Sequence, residues 1–331
     1  MMQFVKSLFW NGEDRRVRAL WRLIGQIVIL VVIALLVLVG LGLIALVVRS
    51  LQGKVPVGPM ALLDSPVVIA VSTLGIMTAA LVSVWLAGRF LDRRPFPDFG
   101  FHLSSNWWID LGFGLFLGAV LMLVIFLIEL GAGWVTVTGT FVTGSPDVPF
   151  FLAILLPLII FVAVGIYEEL LSRGYHLHNL AEGLNWKAIG PHWALVIATL
   201  LSSAIFGLAH LGNPNASFIS SFNIFVAGAV ILSIGYLLTG ELAISIGVHI
   251  TWNFFQGNVF GFPVSGTEFG SATKFISIQQ GGPDVWTGGA FGPEAGLLGL
   301  GAMLLGGALI ALWVRWRYGR LGLYTHLAEY P

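Results

Sequence analysis

Two adjacent glutamates, Glu168 and Glu169, close the apolar run FLAILLPLIIFVAVGIY, and Arg173 follows in the next turn. A charge at the centre of a bilayer helix costs about 2.5–3.5 kcal/mol on insertion scales, so two side by side need a use. On a helix, Glu169 and Arg173 stand at i and i+4 with the acid on the N-terminal side, the favourable order for an ion pair. Glu168 points about 100° away from its neighbour and has no cation so placed. The two acids therefore divide. Glu169 is neutralised by Arg173, and Glu168 is left as an unpaired carboxylate. A carboxylate in apolar surroundings favours proton uptake, the property a general base working near neutral pH requires. The plainer alternative leaves both glutamates solvated at the cytoplasmic end of the helix.

Two histidines bear on that choice. His210 ends the run SSAIFGLAH with Phe206 one turn before it, and His249 sits in ISIGVHITWNFF with Asn253 one turn after it. A lone histidine in a span is more often a packed or hydrogen-bonding residue than a catalyst, but here there are two, on different spans. A carboxylate, two imidazoles and a carboxamide in one cavity suit hydrolysis. Glu168 takes a proton from water, His210 orients that water or shares the base role, and His249 and Asn253 donate to the oxyanion of a tetrahedral intermediate. The cofactor is either none or zinc; if zinc is bound, Glu168, His210 and His249 are its candidate ligands. No HExxH, no GxSG or GxSxG serine and no GxGD aspartate is present.

The elements that must position these residues are membrane helices. The chain has 331 residues, 57% hydrophobic and 10% charged, with a mean hydropathy of +0.92, whereas soluble domains carry about 25% charged residues. Lys+Arg and Asp+Glu are 16 each, so no bulk charge points to nucleic acid. The absence of cysteine excludes disulfides, thiolate metal sites and a cysteine nucleophile. Runs of about 20 apolar residues predict an all-α polytopic transmembrane helix bundle of about eight spans enclosing a polar cavity: residues 23–48, 65–88, 107–130, 149–172, 192–211, 217–239, 242–262 and 294–316. The first run, about 26 residues long, exceeds a signal-peptide core and is expected to stay as an anchor. No internal repeat stands out. Residues 1–148 are expected to hold three anchor helices, 149–262 the catalytic core, and 263–331 a Gly-rich loop and a last span. That loop's Phe and Trp content suggests that it packs on the bundle or at the interface. Lys6, Arg15, Arg16, Arg18, Arg22, Arg89, Arg93, Arg94, Arg173, Lys187, Arg315, Arg317 and Arg320 fall at one end of the spans, and Arg49, Lys54 and Lys274 at the other. The bias predicts both termini in the cytoplasm.

Depth can be counted. The hairpin of the fourth and fifth spans turns near residues 183–191. Glu168 stands about 21 Å before that turn and His210 about 27 Å after it. His249 stands about 12 Å after the turn near Gly240. If the second hairpin protrudes less than the first, all four polar residues converge below the cytoplasmic surface. Glu129, near the outer end of the third span, is expected to be solvated or interfacial. His176, His178 and His192 are expected at the surface.

Three elements now stand in order: Glu168-Glu169-Leu-Leu-Ser-Arg173, Phe206-Gly-Leu-Ala-His210 and His249-Ile-Thr-Trp-Asn253. They resemble the EExxxR, FxxxH and HxxxN/D motifs of the CPBP intramembrane proteases, a family that includes type II CAAX prenyl endopeptidases and bacterial bacteriocin-processing and immunity (abortive infection-like) proteins. The segment LDRRPFPDFG is similar to one that precedes the core in bacterial members. The resemblance implies an integral-membrane endopeptidase using glutamate-activated water. Glu168 would be the essential residue, Glu169, Arg173 and Phe206 supporting ones, and His210, His249 and Asn253 the remaining polar positions. Members are also called metalloproteases, a label their glutamate–histidine mechanism does not require. The partners implied are a membrane-associated peptide, prenylated or not, or a bacteriocin-like peptide, together with membrane lipids. A prokaryotic plasma membrane is the expected location. The competing functions are a transporter that relays protons through Glu and His, and a catalytically silent member that binds a partner.

Overall fold

The computed structural model describes residues 8–12, 14–51, 65–144, 147–267 and 273–330; Lys6 and Lys54 of the orientation argument, and part of the Gly-rich loop, lie outside them. Among the described residues, seven helices are long and apolar enough to cross a membrane. They are α1 (Ala19–Leu51), α2 (Pro66–Asp92), α3 (Ser105–Gly131), α4 (Phe150–Leu184), α5 (Gly190–Gly212), the pair formed by α6 (Phe218–Ala229) and α7 (Ile234–Thr239), and, last in the chain, α9 (Leu297–Tyr318). Between them, α8 (Ala243–Phe254) runs on through a π-turn to Val259. It is the eighth span, shorter than the rest, and every residue from Ala243 to Ile250 is buried.

Local chemistry sets several ends. Ser104 Oγ accepts from Trp107 N at the start of α3, and Ser217 with Ser220 forms a reciprocal cap on α6, each satisfying amides that a helix start leaves unpaired. Gly240 closes α7 at φ +79°, a left-handed conformation that glycine adopts without a Cβ penalty. Two span expectations are corrected, and two short strand pairs accompany the all-α bundle. The fourth span does not stop at Ser172 but continues to Leu184, through a π-helical stretch, Leu170–Leu177, that begins immediately after Glu169. The sixth span is interrupted between α6 and α7, where Ser233 Oγ takes up the Gly228 carbonyl at 2.5 Å. The bundle also carries strands: β1 (Trp10–Asn11) with β2 (Arg16–Val17), and β3 (Val135–Val142) with β4 (Lys274–Gln280), both antiparallel. The β-branched alternation VTVTGTFV favours extended chain, and pairing with β4 ties the Gly-rich loop to the end of α3.

α3 and α8 lie backbone to backbone. A Cβ on Gly118 of α3 would meet Val248 O at 2.6 Å, and one on Gly247 of α8 would meet Leu111 O at 2.5 Å. Gly165 does the same for α4, where a Cβ would sit 2.7 Å from Ile250 Cγ1. Small residues permit such approach between membrane helices, where packing rather than the hydrophobic effect drives association. These glycines therefore set the distance between α4, which carries the two glutamates, and α8, which carries His249.

Residues near the two termini, Arg16 and Tyr330, meet at one end of the bundle, called the termini end below, and β3 and β4 lie at the other. At the termini end a buried ionic network joins distant segments. Glu182 receives Arg16 at 2.7 Å, Arg22 at 2.8 Å and also Arg94. Asp92 takes Arg22 at 2.9 Å and the Tyr175 hydroxyl at 2.6 Å. His178, expected at the surface, is buried against the Tyr236 hydroxyl at 3.2 Å, and His176 meets Gln26 at 3.0 Å. Both are drawn inward because α4 extends past the point where the apolar run ends. Glu129 is likewise not solvated: it is fully buried and accepts from Gln280 Nε2 at 3.0 Å, since β4 folds over the end of α3.

Candidate active site

α4, α5 and α8 bring Glu168, Phe206, His210, His249 and Asn253 to the wall of one cavity of about 560 Å³. Glu169 and Arg173 stand behind that wall. Arg173 Nη1 donates to Glu169 Oε1 at 3.0 Å, and both side chains are fully buried. The same oxygen accepts from His249 Nδ1 at 2.7 Å. The two glutamates thus occupy different environments. Glu169 is held by a guanidinium and an imidazole, while the Glu168 side chain keeps 22% exposure and faces the cavity.

Each imidazole has its tautomer set by its neighbour. A carboxylate only accepts, so His249 Nδ1 carries a hydrogen toward Glu169 and its Nε2 faces Glu168 Oε2, 3.8 Å away. That separation is longer than a hydrogen bond, so both groups remain available to a reacting molecule. His210 Nδ1 lies 2.7 Å from the Phe206 carbonyl oxygen. A carbonyl also only accepts, so Nδ1 again carries the hydrogen, leaving Nε2 of the neutral ring as an acceptor. The Phe206 ring lies between these parts: its centroid is 4.8 Å from that of His210, 6.4 Å from that of His249, and 4.6 Å from the Arg173 guanidinium carbon. The last distance is that of a cation–π contact. A Cβ on Gly228 would approach Arg173 Nη2 to 2.9 Å, so the end of α6 admits the guanidinium only because it is bare there.

Two residues at the cavity drew no notice in the sequence. The Tyr167 hydroxyl donates to Glu168 Oε1 at 3.2 Å; its position beside the glutamates was the available signal. Glu294, just ahead of α9, is buried at the far side of the same cavity, where Ser265 N reaches its Oε1 at 2.6 Å and Gln256 Nε2 its Oε2. Burial pushes its carboxyl up to about 7. Nothing in the local sequence announces it, because the contacts come from the α8–α9 connection. Helix α2 adds Ile69, Ser72, Thr73 and Ile76, so the cavity draws on all three of the expected segments, not on 149–262 alone.

The candidate zinc ligands do not assemble. Among the described residues no group of three or more His, Cys, Asp and Glu side chains stands close enough to hold a metal ion.

Comparison with known proteins bears on the same segment. Residues 150–255 match the model of the family described as Type II CAAX prenyl endopeptidase Rce1-like. This segment is similar to an Rce1-like domain. The chain is also 25% identical over 230 residues, 67% of its length and 71% of the other's, to the uncharacterized protein YyaK of Bacillus subtilis (strain 168). No solved structure matches. The family is one of intramembrane CAAX-type proteases, which accords with an integral-membrane chain carrying seven long apolar helices among its described residues. All seven candidate residues, from Glu168 to Asn253, fall within the matched segment.

Proposed function

We propose that this protein is an intramembrane endopeptidase in which Glu168 activates the water that attacks a membrane-associated peptide, and that the chemistry runs on its own side chains. The observation that carries the reading is the division of the two glutamates: Glu169 is fixed by Arg173 and His249, and the adjacent Glu168 faces the cavity with His249 Nε2 at 3.8 Å.

In this reading a water between Glu168 and His210 Nε2 gives a proton to Glu168, and the hydroxide forms a bond to the scissile carbonyl carbon. His249 and Asn253 donate to the oxyanion that results. Preorganised donors of this kind supply much of the rate in acyl transfer, about 2.7–4 kcal/mol each where measured by deletion. For His249 to donate from Nε2 while Nδ1–H stays on Glu169, its ring carries both protons. The C–N bond then breaks as the Glu168 proton passes to the leaving amine, which restores the carboxylate. Glu169 and Arg173 act through His249: they fix its orientation. Tyr167 holds one oxygen of Glu168, leaving the other for the water.

Purified protein in detergent, given a farnesylated CAAX peptide and an unmodified peptide library, tests this. Cleavage is expected with the native chain, to be lost in Glu168→Gln, and to persist in Glu129→Gln, which keeps the contact to Gln280 outside the cavity. Unchanged cleavage in Glu168→Gln overturns the mechanism.

A further inference from the structure

The arginines at the termini end are not all used by the fold. Arg16, Arg22 and Arg94 are buried and share Glu182; Arg22 also reaches Asp92, and Arg94 has Asp98 at 3.7 Å. Arg89 and Arg93 are exposed, and among the described residues neither meets a carboxylate. Arg93 has only the Trp10 ring, with its guanidinium carbon 5.4 Å from the centroid. These two guanidiniums, with Arg94 behind them, line one cleft that Trp85, Pro95 and Phe96 complete. The segment LDRRPFPDFG supplies four of those six residues, and none of the six lines the catalytic cavity.

The local backbone presents the two free arginines. Gly88–Asp92 is π-helical, and its i→i+5 bonding widens the turn, so that Arg89 and Arg93 reach the same cleft. Arg93 then ends the helix in the left-handed conformation, at φ +59°. That position is usually glycine or asparagine, and other L-residues are strained there. Glycine would end the helix better, so the arginine needs a reason in its side chain.

Along α2 one stripe faces outward. Val71, Leu74, Thr78, Val82 and Trp85 are exposed at intervals of three or four residues, and Arg89 continues the series. On a membrane helix such a stripe faces acyl chains, and an exposed tryptophan at its end marks the interface. Arg89 and Arg93 therefore stand at headgroup height, at the end of a track for a lipid chain.

We propose that this cleft binds the headgroup phosphate of an anionic phospholipid, with Arg89 and Arg93 on the phosphate oxygens, Trp85 at the glycerol and an acyl chain along the α2 stripe. Arginine matches phosphate with paired N–H donors, and basic pockets beside membrane helices bind such headgroups. A zwitterionic lipid brings its own cation to two guanidiniums that lack an anion. Inorganic phosphate offers the same oxygens but leaves Trp85 and the stripe unused. The cleft is separate from the catalytic cavity, so its test needs no cleavage.

Purified protein in neutral detergent is titrated with phosphatidylglycerol, with phosphatidylcholine of the same chains, or with inorganic phosphate. Retained lipid is read by native mass spectrometry, with the melting temperature measured in parallel. The native chain is expected to hold phosphatidylglycerol more tightly than phosphatidylcholine. The double variant Arg89→Gln with Arg93→Gln is expected to weaken phosphatidylglycerol about 25-fold, at about fivefold for each arginine. Arg315→Gln with Arg320→Gln removes the same charge from exposed positions at the same end and is expected to leave retention unchanged. Arg93→Gly suits the left-handed backbone. Its lipid-free melting temperature is expected to hold or rise while retention falls about fivefold, a split that a merely structural arginine does not give. Equal retention of the two lipids, native retention in the Arg89 and Arg93 variants, or an equal loss in the Arg315 and Arg320 control overturns the proposal. Inorganic phosphate that binds as tightly as the lipid, with the same dependence on Arg89 and Arg93, overturns it in favour of a free-phosphate site.

Discussion

Glu168→Gln and Glu169→Gln change the same atoms at neighbouring positions, yet the structure separates their effects. Glu169 is fully buried and accepts from Arg173 at 3.0 Å and from His249 at 2.7 Å. Replacing it with a neutral amide leaves the fully buried Arg173 guanidinium without its anion. Removing one partner of a buried ion pair costs about 3–5 kcal/mol, most of it the penalty of the stranded charge. Glu168 is partly exposed and makes one hydrogen bond, from Tyr167 at 3.2 Å, so its loss is expected to change stability by about 1 kcal/mol or less. Thermal unfolding in detergent, read beside cleavage, is the assay. Glu168→Gln is expected to keep the native melting temperature and lose cleavage; Glu169→Gln is expected to lose both. The double variant Glu169→Gln with Arg173→Met removes the stranded charge and is expected to recover part of the stability without recovering activity, the non-additivity that a coupled pair requires. Equal destabilisation by the two single variants, or no recovery in the double, refutes the division of roles.

Four further outcomes follow from other parts of the molecule. The Glu294 carboxyl is raised by burial from 4.5 to about 7, so the folded state holds this proton more tightly than the unfolded one. The contribution is fully present below about pH 4.5 and is lost as pH rises through about 7, up to about 3 kcal/mol at 1.36 kcal/mol per unit. Melting temperature is expected to fall between pH 5 and pH 8 in the native chain and to fall less in Glu294→Gln. Tyr167→Phe removes a long hydrogen bond to a charged group and is expected to lower kcat about tenfold with KM unchanged, as steady-state cleavage would read. Glu182→Ala strands the arginines that share it at the termini end and is expected to cost about 3–5 kcal/mol, with unchanged specific activity in the fraction that remains folded. Gly247→Ala forces α8 away from the Leu111 carbonyl; overpacking of this kind costs about 1–3 kcal/mol, and here cleavage is expected to fall with it, because α8 carries His249.

What was legible in the sequence is what depends on period and composition. The helix geometry that pairs Glu169 with Arg173 is local, and so is the alternation of apolar run and polar turn that yields the spans. The i,i+4 relations of Phe206 with His210 and of His249 with Asn253 hold within single turns of α5 and α8. The Lys/Arg bias is likewise a property of the chain's order. The binding of His249 to Glu169 is not, since eighty residues separate them. The sequence reading aimed His249 at substrate and gave Glu169 only to Arg173. The structure has the same carboxylate oxygen holding both.

By itself, the sequence determined that this chain is a membrane bundle, which end of it carries the charge, and which of two adjacent acids has a cation within reach. Those follow from residue type and helical spacing alone. Tertiary structure decided that Glu129 and His178 are buried, that His249 binds the same oxygen of Glu169 as Arg173, and that Glu294, Ser72 and Tyr167 share a chamber with Glu168. Each of these depends on how far one helix sinks relative to another. That depth is set by bare glycine backbones between α3, α4 and α8 and by segments folded over the helix ends. Such contacts join residues far apart in the chain, and no periodicity along the sequence records them.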